Sequence, residues 1–182
     1  AFSKLFVQTE YAAAERALLA TRRRRSPTEA EVWAAHLAVV EGESAADVQY
    51  ETDRARFLGR GREIHAPIAV VDGRPLANTV GTVLDPIFSL RQRVRIPPHT
   101  TARVAFWTLA ASSRSAVLDL VDKHHDPAAF DRAVTLAWTQ AQVQLHHLGV
   151  GSEEAHLFQR LANHVLYSDP TLRPASDMLK RN

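Results

Sequence analysis

Residues 88–111 read FSLRQRVRIPPHTTARVAFWTLAA, and their alternation sets the fold class. Phe88, Leu90, Gln92, Val94 and Ile96 alternate with Ser89, Arg91, Arg93 and Arg95. Side chains alternate faces along a strand, so a mainly apolar row lies on one face and three guanidiniums on the other. Pro97-Pro98-His99-Thr100 ends that run, because neither proline can donate a ladder hydrogen bond. Thr101 to Ala111 then resumes an extended, β-branched and aromatic pattern. Together they predict a strand–turn–strand hairpin.

Working upstream, Glu31 to Val40 is apolar on both faces, with Trp33, Ala35, Leu37 and Val39 against Val32, Ala34, Ala38 and Val40. That pattern suits a central strand covered on two sides. Phe2 to Glu10 and Gln49 to Leu58 are read as further strands, and so is Leu18 to Arg24, within an alanine-rich stretch bounded by Ser26-Pro27.

Downstream of residue 112 the period becomes helical. Ser113 to His124 places Val117, Leu118, Leu120 and Val121 on one stripe. Asp126-Pro127 is a helix start, since Asp caps free N–H groups and Pro suits the first helical position. From Phe130, apolar residues Val134, Ala137, Trp138, Ala141, Leu145 and Leu148 recur until Gly149. Ser152 restarts a helix with Glu153 and Glu154 in its first turn and an expected buried stripe of Leu157, Phe158, Leu161, Val165 and Leu166. Ser168-Asp169-Pro170 is read as its stop.

The 182 residues contain no cysteine, are 46% hydrophobic and carry a formal charge of +2. This excludes disordered and disulfide-built classes, thiolate metal sites and cysteine nucleophiles. No run reaches the roughly 18–20 apolar residues of a membrane helix. Of 22 basic residues only 3 are lysine, so the pI near 9.3 reflects arginine usage and not a strong basic field. The start at Ala1 without methionine and the charged end at Lys180-Arg181-Asn182 suggest a piece of a longer protein.

Two clusters carry candidate binding chemistry. Arg54, Arg56, Arg60 and Arg62 crowd around Gly59 and Gly61, where guanidinium forks match phosphate or carboxylate geometry. The alternative is a solvated face compensated by Glu51, Asp53 and Glu63. Arg22 to Arg25 is read in the same way as an exposed edge. Trp33 and Trp107 could stack on a sugar, or equally belong to the core. No nucleic-acid partner is expected from so small an excess charge. Nine histidines offer no metal site: His124-His125 and His146-His147 fall near opposite ends of one long expected helix, about 30 Å apart. His156 and His164 are two turns apart. Neither a nucleophile elbow, a phosphate-binding loop nor a zinc motif occurs, so no catalytic residue, metal ligand or cofactor is assigned.

Two stretches go further. QYETDRARFLGRGR (49–62) and LANTVGTVLDPIFSLRQRVRIPP (76–98), with ARVAFWTLAASS after it, resemble the inverting sugar phosphorylases of the cellobiose and chitobiose phosphorylase type, glycoside hydrolase family 94. The nearest version is the phosphorylase-like part of bacterial cyclic β-1,2-glucan synthases. AFSKLFVQTEY (1–11) and WTQAQVQLHHLG (138–149) resemble that version too. The resemblance implies an α+β chain: an antiparallel, supersandwich-like β-sandwich portion over 1–111, two or three linker α-helices over 112–168, and a tail over 169–182 leading to an (α/α)6 barrel. It further implies a parent enzyme that processes β-glucan with inorganic phosphate as co-substrate, at the cytoplasmic side of the bacterial inner membrane. The family's catalytic aspartate matches no position here; Asp53 and Asp85 lie in matching motifs but have sufficient roles as turn and strand-end residues. The fragment itself is expected to be soluble and inactive. An incomplete sandwich leaves an open edge, so its partners would be the remaining sandwich strands, the barrel or a second copy of the chain.

Overall fold

The computed structural model describes residues 6–167 and 174–180. Five strands come first: β1 (Val7–Ala12), β2 (Ala17–Arg22), β3 (Trp33–Glu41), β4 (Glu43–Ser44) and β5 (Gln49–Asp53). Two short helices, α1 (Arg54–Leu58) and α2 (Ile68–Val71), interrupt the strand series. It resumes with β6 (Gly81–Thr82), β7 (Pro86–Arg91), β8 (Val94–Arg95) and β9 (Arg103–Ala111). Four helices follow: α3 (Arg114–His125), α4 (Ala128–Leu148), α5 (Ser152–Leu166) and α6 (Ser176–Leu179). This is the α+β class expected from the change of period.

The main sheet is antiparallel, in the order β6-β1-β2-β3-β9. Strand β3 is central, as its two-sided apolar pattern requires, and pairs along its whole length with β9. The register puts Leu37 beside Trp107 and Ala35 beside Leu109 on one face, and His36 beside Thr108 and Ala38 beside Phe106 on the other. Helix α3 covers the first face. Its Val117 and Val121 are fully buried against Leu19, Ala35, Leu37 and Val39. Each such side chain contributes roughly 1.5–3 kcal/mol relative to an exposed one. The Ser113 hydroxyl caps α3 by accepting from the Ala116 N–H at 3.1 Å. Arg114 donates to Glu10 on β1 at 2.8 Å, and His125 Nε2 lies 2.6 Å from the Glu15 carbonyl oxygen.

The β5–β7 pair lies over the second face. Phe88 of β7 stacks on His36 at 5.7 Å, and Tyr50 of β5 stacks on Tyr11 at 4.2 Å. One layer of strands and one helix thus enclose the main sheet, which is the sandwich portion the resemblance implied.

Four expectations need correction. The 88–96 and 101–111 segments are strands in part, but they form no hairpin: β7 pairs with β5, β8 with β4, and β9 with β3. Gln92 and Arg93 break the first segment, so Arg91 and Arg95 sit on different strands. Period two identifies faces; it does not identify neighbours. The strand expected over 49–58 stops at Asp53, whose carboxylate accepts from Ala55 N–H at 2.9 Å and starts α1. Third, α4 and α5 begin where expected, yet their apolar stripes are not buried. Trp138 is 66% exposed and Leu161 52% exposed, and α5 has no buried residue. Periodicity shows which face is apolar, not whether the described residues supply its cover. His124 and His146 lie on separate helices, α3 and α4, not on one.

The chain divides into compact units over 1–131 and 132–182. In the second, Gly149 ends α4 at φ +64° and Glu154 accepts from the Gly151 N–H at 3.1 Å ahead of α5. The expected stop at Ser168-Asp169-Pro170 lies outside the described residues. No described helix is long and apolar enough to cross a membrane.

Candidate functional site

The arginine loop is built from β5 outward. Glu51, almost fully buried, turns its Oε1 back to accept from the Thr52 and Asp53 N–H groups at 3.0 and 2.9 Å. That holds the strand end open for α1. Arg54, the first residue of α1, pairs with Asp85 at 3.2 Å, while its own N–H reaches the Asp85 carbonyl. Arg56 pairs with Asp53 at 3.7 Å, and Arg62 with Asp72 at 3.3 Å. Arg91 donates to the Arg74 carbonyl at 2.6 Å and to the Ala69 carbonyl, tying β7 to α2 and the loop after it. Among these guanidiniums only Arg60 is exposed and makes no ion pair among the described residues. The cluster therefore organises residues 54–91 with its own carboxylates and carbonyls, and holds little charge in reserve for an anion.

Trp33 and Trp107 share the α3 face of the main sheet, whereas the arginine loop grows from the β5–β7 layer on the opposite face. The structure does not bring the two groups together. Trp107 meets the His124 ring edge-on at 4.6 Å and Phe130 at 6.2 Å. The Trp33 indole N–H donates to Glu31 at 2.6 Å. Arg103 lies 5.6 Å above the Phe130 ring and pairs with Glu41 at 3.0 Å, beneath the same helical layer. Both tryptophans are half-buried, so each gives part of its ring to packing.

A cleft that no motif announces lies at the other end of β1. Tyr11, Arg16, Asp47, Tyr50 and Asn78 line an open volume of about 840 Å³. The β1–β2 turn closes through the Arg16 N–H to the Ala13 carbonyl at 3.3 Å, leaving Arg16 at φ +48°. Asn78, at φ +54°, exchanges two hydrogen bonds with the Tyr50 backbone, at 2.9 and 3.0 Å. Burial pushes the Tyr11 phenol above its ordinary value, Arg16 opposes this, and Tyr50 and Asp47 add to it. The phenol is thus a neutral donor at physiological pH. The only advance signal was the aromatic residue in each of two motif segments, 1–11 and 49–62. No group of three or more His, Asp or Glu able to hold a metal occurs among the described residues.

With fold and side chains placed, comparison adds the family. Cyclic beta-(1,2)-glucan synthase NdvB of Rhizobium meliloti (strain 1021) is 39% identical over 179 residues, 98% of this chain. The same alignment covers 6% of that relative, so the chain corresponds to a small part of it. The glycosyl hydrolase 94 supersandwich domain matches residues 1–127, which takes in every strand described and helix α3. This chain therefore belongs to the glycosyl hydrolase 94 supersandwich family.

Proposed function

We propose that the chain is the non-catalytic sandwich-and-helix segment of a cyclic β-1,2-glucan synthase-type enzyme, whose role is to support a sugar-processing (α/α)6 barrel. The observation that carries this is the uncovered apolar surface of α4 and α5, including Trp138, Leu148, Leu157 and Leu161. Exposed faces of this kind mark contact surfaces, and in such a parent the rest of the enzyme would occupy them. The open edge of β9 offers a second contact, to further sandwich strands or to a second copy. In this reading the parent trims linear β-1,2-glucan with inorganic phosphate, at the cytoplasmic side of the bacterial inner membrane, and its catalytic residues lie on the barrel.

Incubating the 182-residue chain with linear β-1,2-glucan and phosphate is expected to release no glucose 1-phosphate. A longer parent chain that includes the barrel is expected to release it. Release by the shorter chain, abolished by a substitution within it, overturns the scaffold role. The alternative of an anion-binding module at Arg54, Arg60 and Arg62 is disfavoured by the pairing of Arg54 and Arg62 with Asp85 and Asp72.

A further inference from the structure

Among the described residues, the Tyr11–Tyr50 cleft differs from the arginine loop in one chemical respect. In the loop, Asp53, Asp72 and Asp85 are matched to guanidiniums. In the cleft, the Arg16 guanidinium and the Asp47 carboxylate make no salt bridge or side-chain hydrogen bond among the described residues. The two phenol oxygens likewise have no protein hydrogen-bond partner there, and neither is a buried unsatisfied group, so solvent reaches them. Asn78 uses its Oδ1 on the Tyr50 N–H and keeps its amide N–H groups for another acceptor. Donors and acceptors thus converge beside a pair of stacked rings, with one positive and one negative charge.

That combination favours a ligand without net charge. An anion would meet Asp47 as well as Arg16, and a cation the reverse. An apolar ligand would strand five polar groups. A neutral polyol with an apolar C–H face satisfies both the rings and the polar set, because hydroxyls donate and accept in equal measure. The volume, about 840 Å³, lies within the range of small-molecule sites. Arg16 also occupies a backbone conformation that costs an L-residue about 1–2 kcal/mol, where glycine would sit freely. Keeping a side chain at that turn position is costly for folding, and Arg16 is one of the residues that line the cleft.

We infer that this cleft is a saccharide-binding subsite for neutral glucosyl units, with the Tyr11–Tyr50 ring pair as its apolar wall and Arg16, Asp47 and Asn78 as the hydroxyl partners. The choice of glucosyl units rests on the glucan-processing role proposed above.

The test is a titration of the 182-residue chain, followed by the NMR signals of its tyrosine rings. The probes are a linear β-1,2-glucooligosaccharide, an α-1,4-glucooligosaccharide and inorganic phosphate. Saturable shifts of the Tyr11 and Tyr50 rings are expected with the β-1,2 sugar. Tyr50→Ala is expected to weaken binding about tenfold. That variant could loosen the β5–β7 layer, so Arg16→Gly is the second: it relaxes the turn, keeps or raises the melting temperature, and weakens binding several-fold. Arg60→Ala leaves binding unchanged. No ring shift up to about 10 mM sugar, a response to phosphate alone, or equal affinity in Arg16→Gly overturns the subsite. Equal binding of the α-1,4 sugar supports a saccharide cleft but removes its link to β-1,2-glucan. Failure of the scaffold role would show separately, as glucose 1-phosphate release.

Discussion

The hydroxyl oxygens of Thr9 on β1 and Thr52 on β5 lie 2.8 Å apart, both buried, and form a polar contact between the main sheet and the layer over it. Thr52 also reaches the Thr79 carbonyl at 2.8 Å. Thr9 reaches the Gly81 carbonyl at 3.1 Å and accepts from the Gly81 N–H at 3.0 Å. Two hydroxyl protons therefore serve two carbonyls and the contact between the hydroxyls. If Thr52 gives its proton to Thr79, Thr9 divides its own between Thr52 and Gly81. The segment 79–82 is held to both layers through this arrangement.

Thr52→Val keeps the shape and removes the hydroxyl, leaving the Thr79 carbonyl short of a donor in a half-buried site. The expected loss is about 1–3 kcal/mol in urea unfolding. Thr9→Val should cost a similar amount. The double variant should cost less than the sum, by a coupling of about 0.5–3 kcal/mol, because each single change already disables the shared contact. Strict additivity would show that the two hydroxyls act independently.

Gly59 ends α1 at φ +84°, and a Cβ there would lie 2.8 Å from Ile68 Cγ2 on α2. Gly61, at φ +71°, has open space around it. Gly61→Ala should therefore cost only the backbone term, about 1–2 kcal/mol. Gly59→Ala adds a clash with a branched side chain, a further 1–3 kcal/mol or so. Thermal melts of the two variants distinguish the effects. Equal costs would mean that α1 and α2 are not in close contact.

The covered and uncovered parts of the chain should respond differently to the same substitution. Leu37 is fully buried between β2, β9 and α3, so Leu37→Ala leaves a cavity and should cost about 2–5 kcal/mol. Leu161 on α5 is half-exposed, and Leu161→Ala should stay within about 0.5 kcal/mol in this chain. Denaturant unfolding reads both. A large cost at Leu161 would show that α5 is packed in solution.

Local structure was legible where the chemistry is local. Ser113 announces α3 because its hydroxyl caps the next turn, Gly149 ends α4 because that conformation suits glycine, and β3 is central because both its faces are apolar. The α1 helix was legible in principle: Asp53 followed by Arg54-Ala55-Arg56 is a capped start, masked by the β-like residues before it. Strand pairing was not legible, since alternation at Phe88 to Ile96 is equally satisfied by β5, β4 or β9 as neighbour. The arginine cluster drew attention because its members are close in sequence, yet its partners Asp72 and Asp85 are distant. The Tyr11–Tyr50 cleft escaped notice for the converse reason. It gathers residues from three separate stretches, which only the packing of β5 on β1 brings together.

His36 gives the pH dependence its sign. The imidazole lies between Phe88 and Phe106, at 5.7 and 6.0 Å, with Nδ1 3.0 Å from the Thr108 hydroxyl. Burial pushes its pKa below the ordinary 6.5, partly opposed by a hydrogen bond with the Trp107 backbone. The unfolded chain thus takes up this proton at a higher pH than the folded chain does. Between the two values the unfolded state binds more protons, so stability rises with pH across that window. The contribution is complete above about pH 6.5 and is lost as pH falls through the depressed folded value. His36→Gln retains a polar partner for Thr108 without a titrating ring. Its melting temperature should fall less on acidification than that of the parent chain. An NMR titration that put the His36 pKa at or above 6.5, or an unchanged pH response in the variant, would refute this assignment.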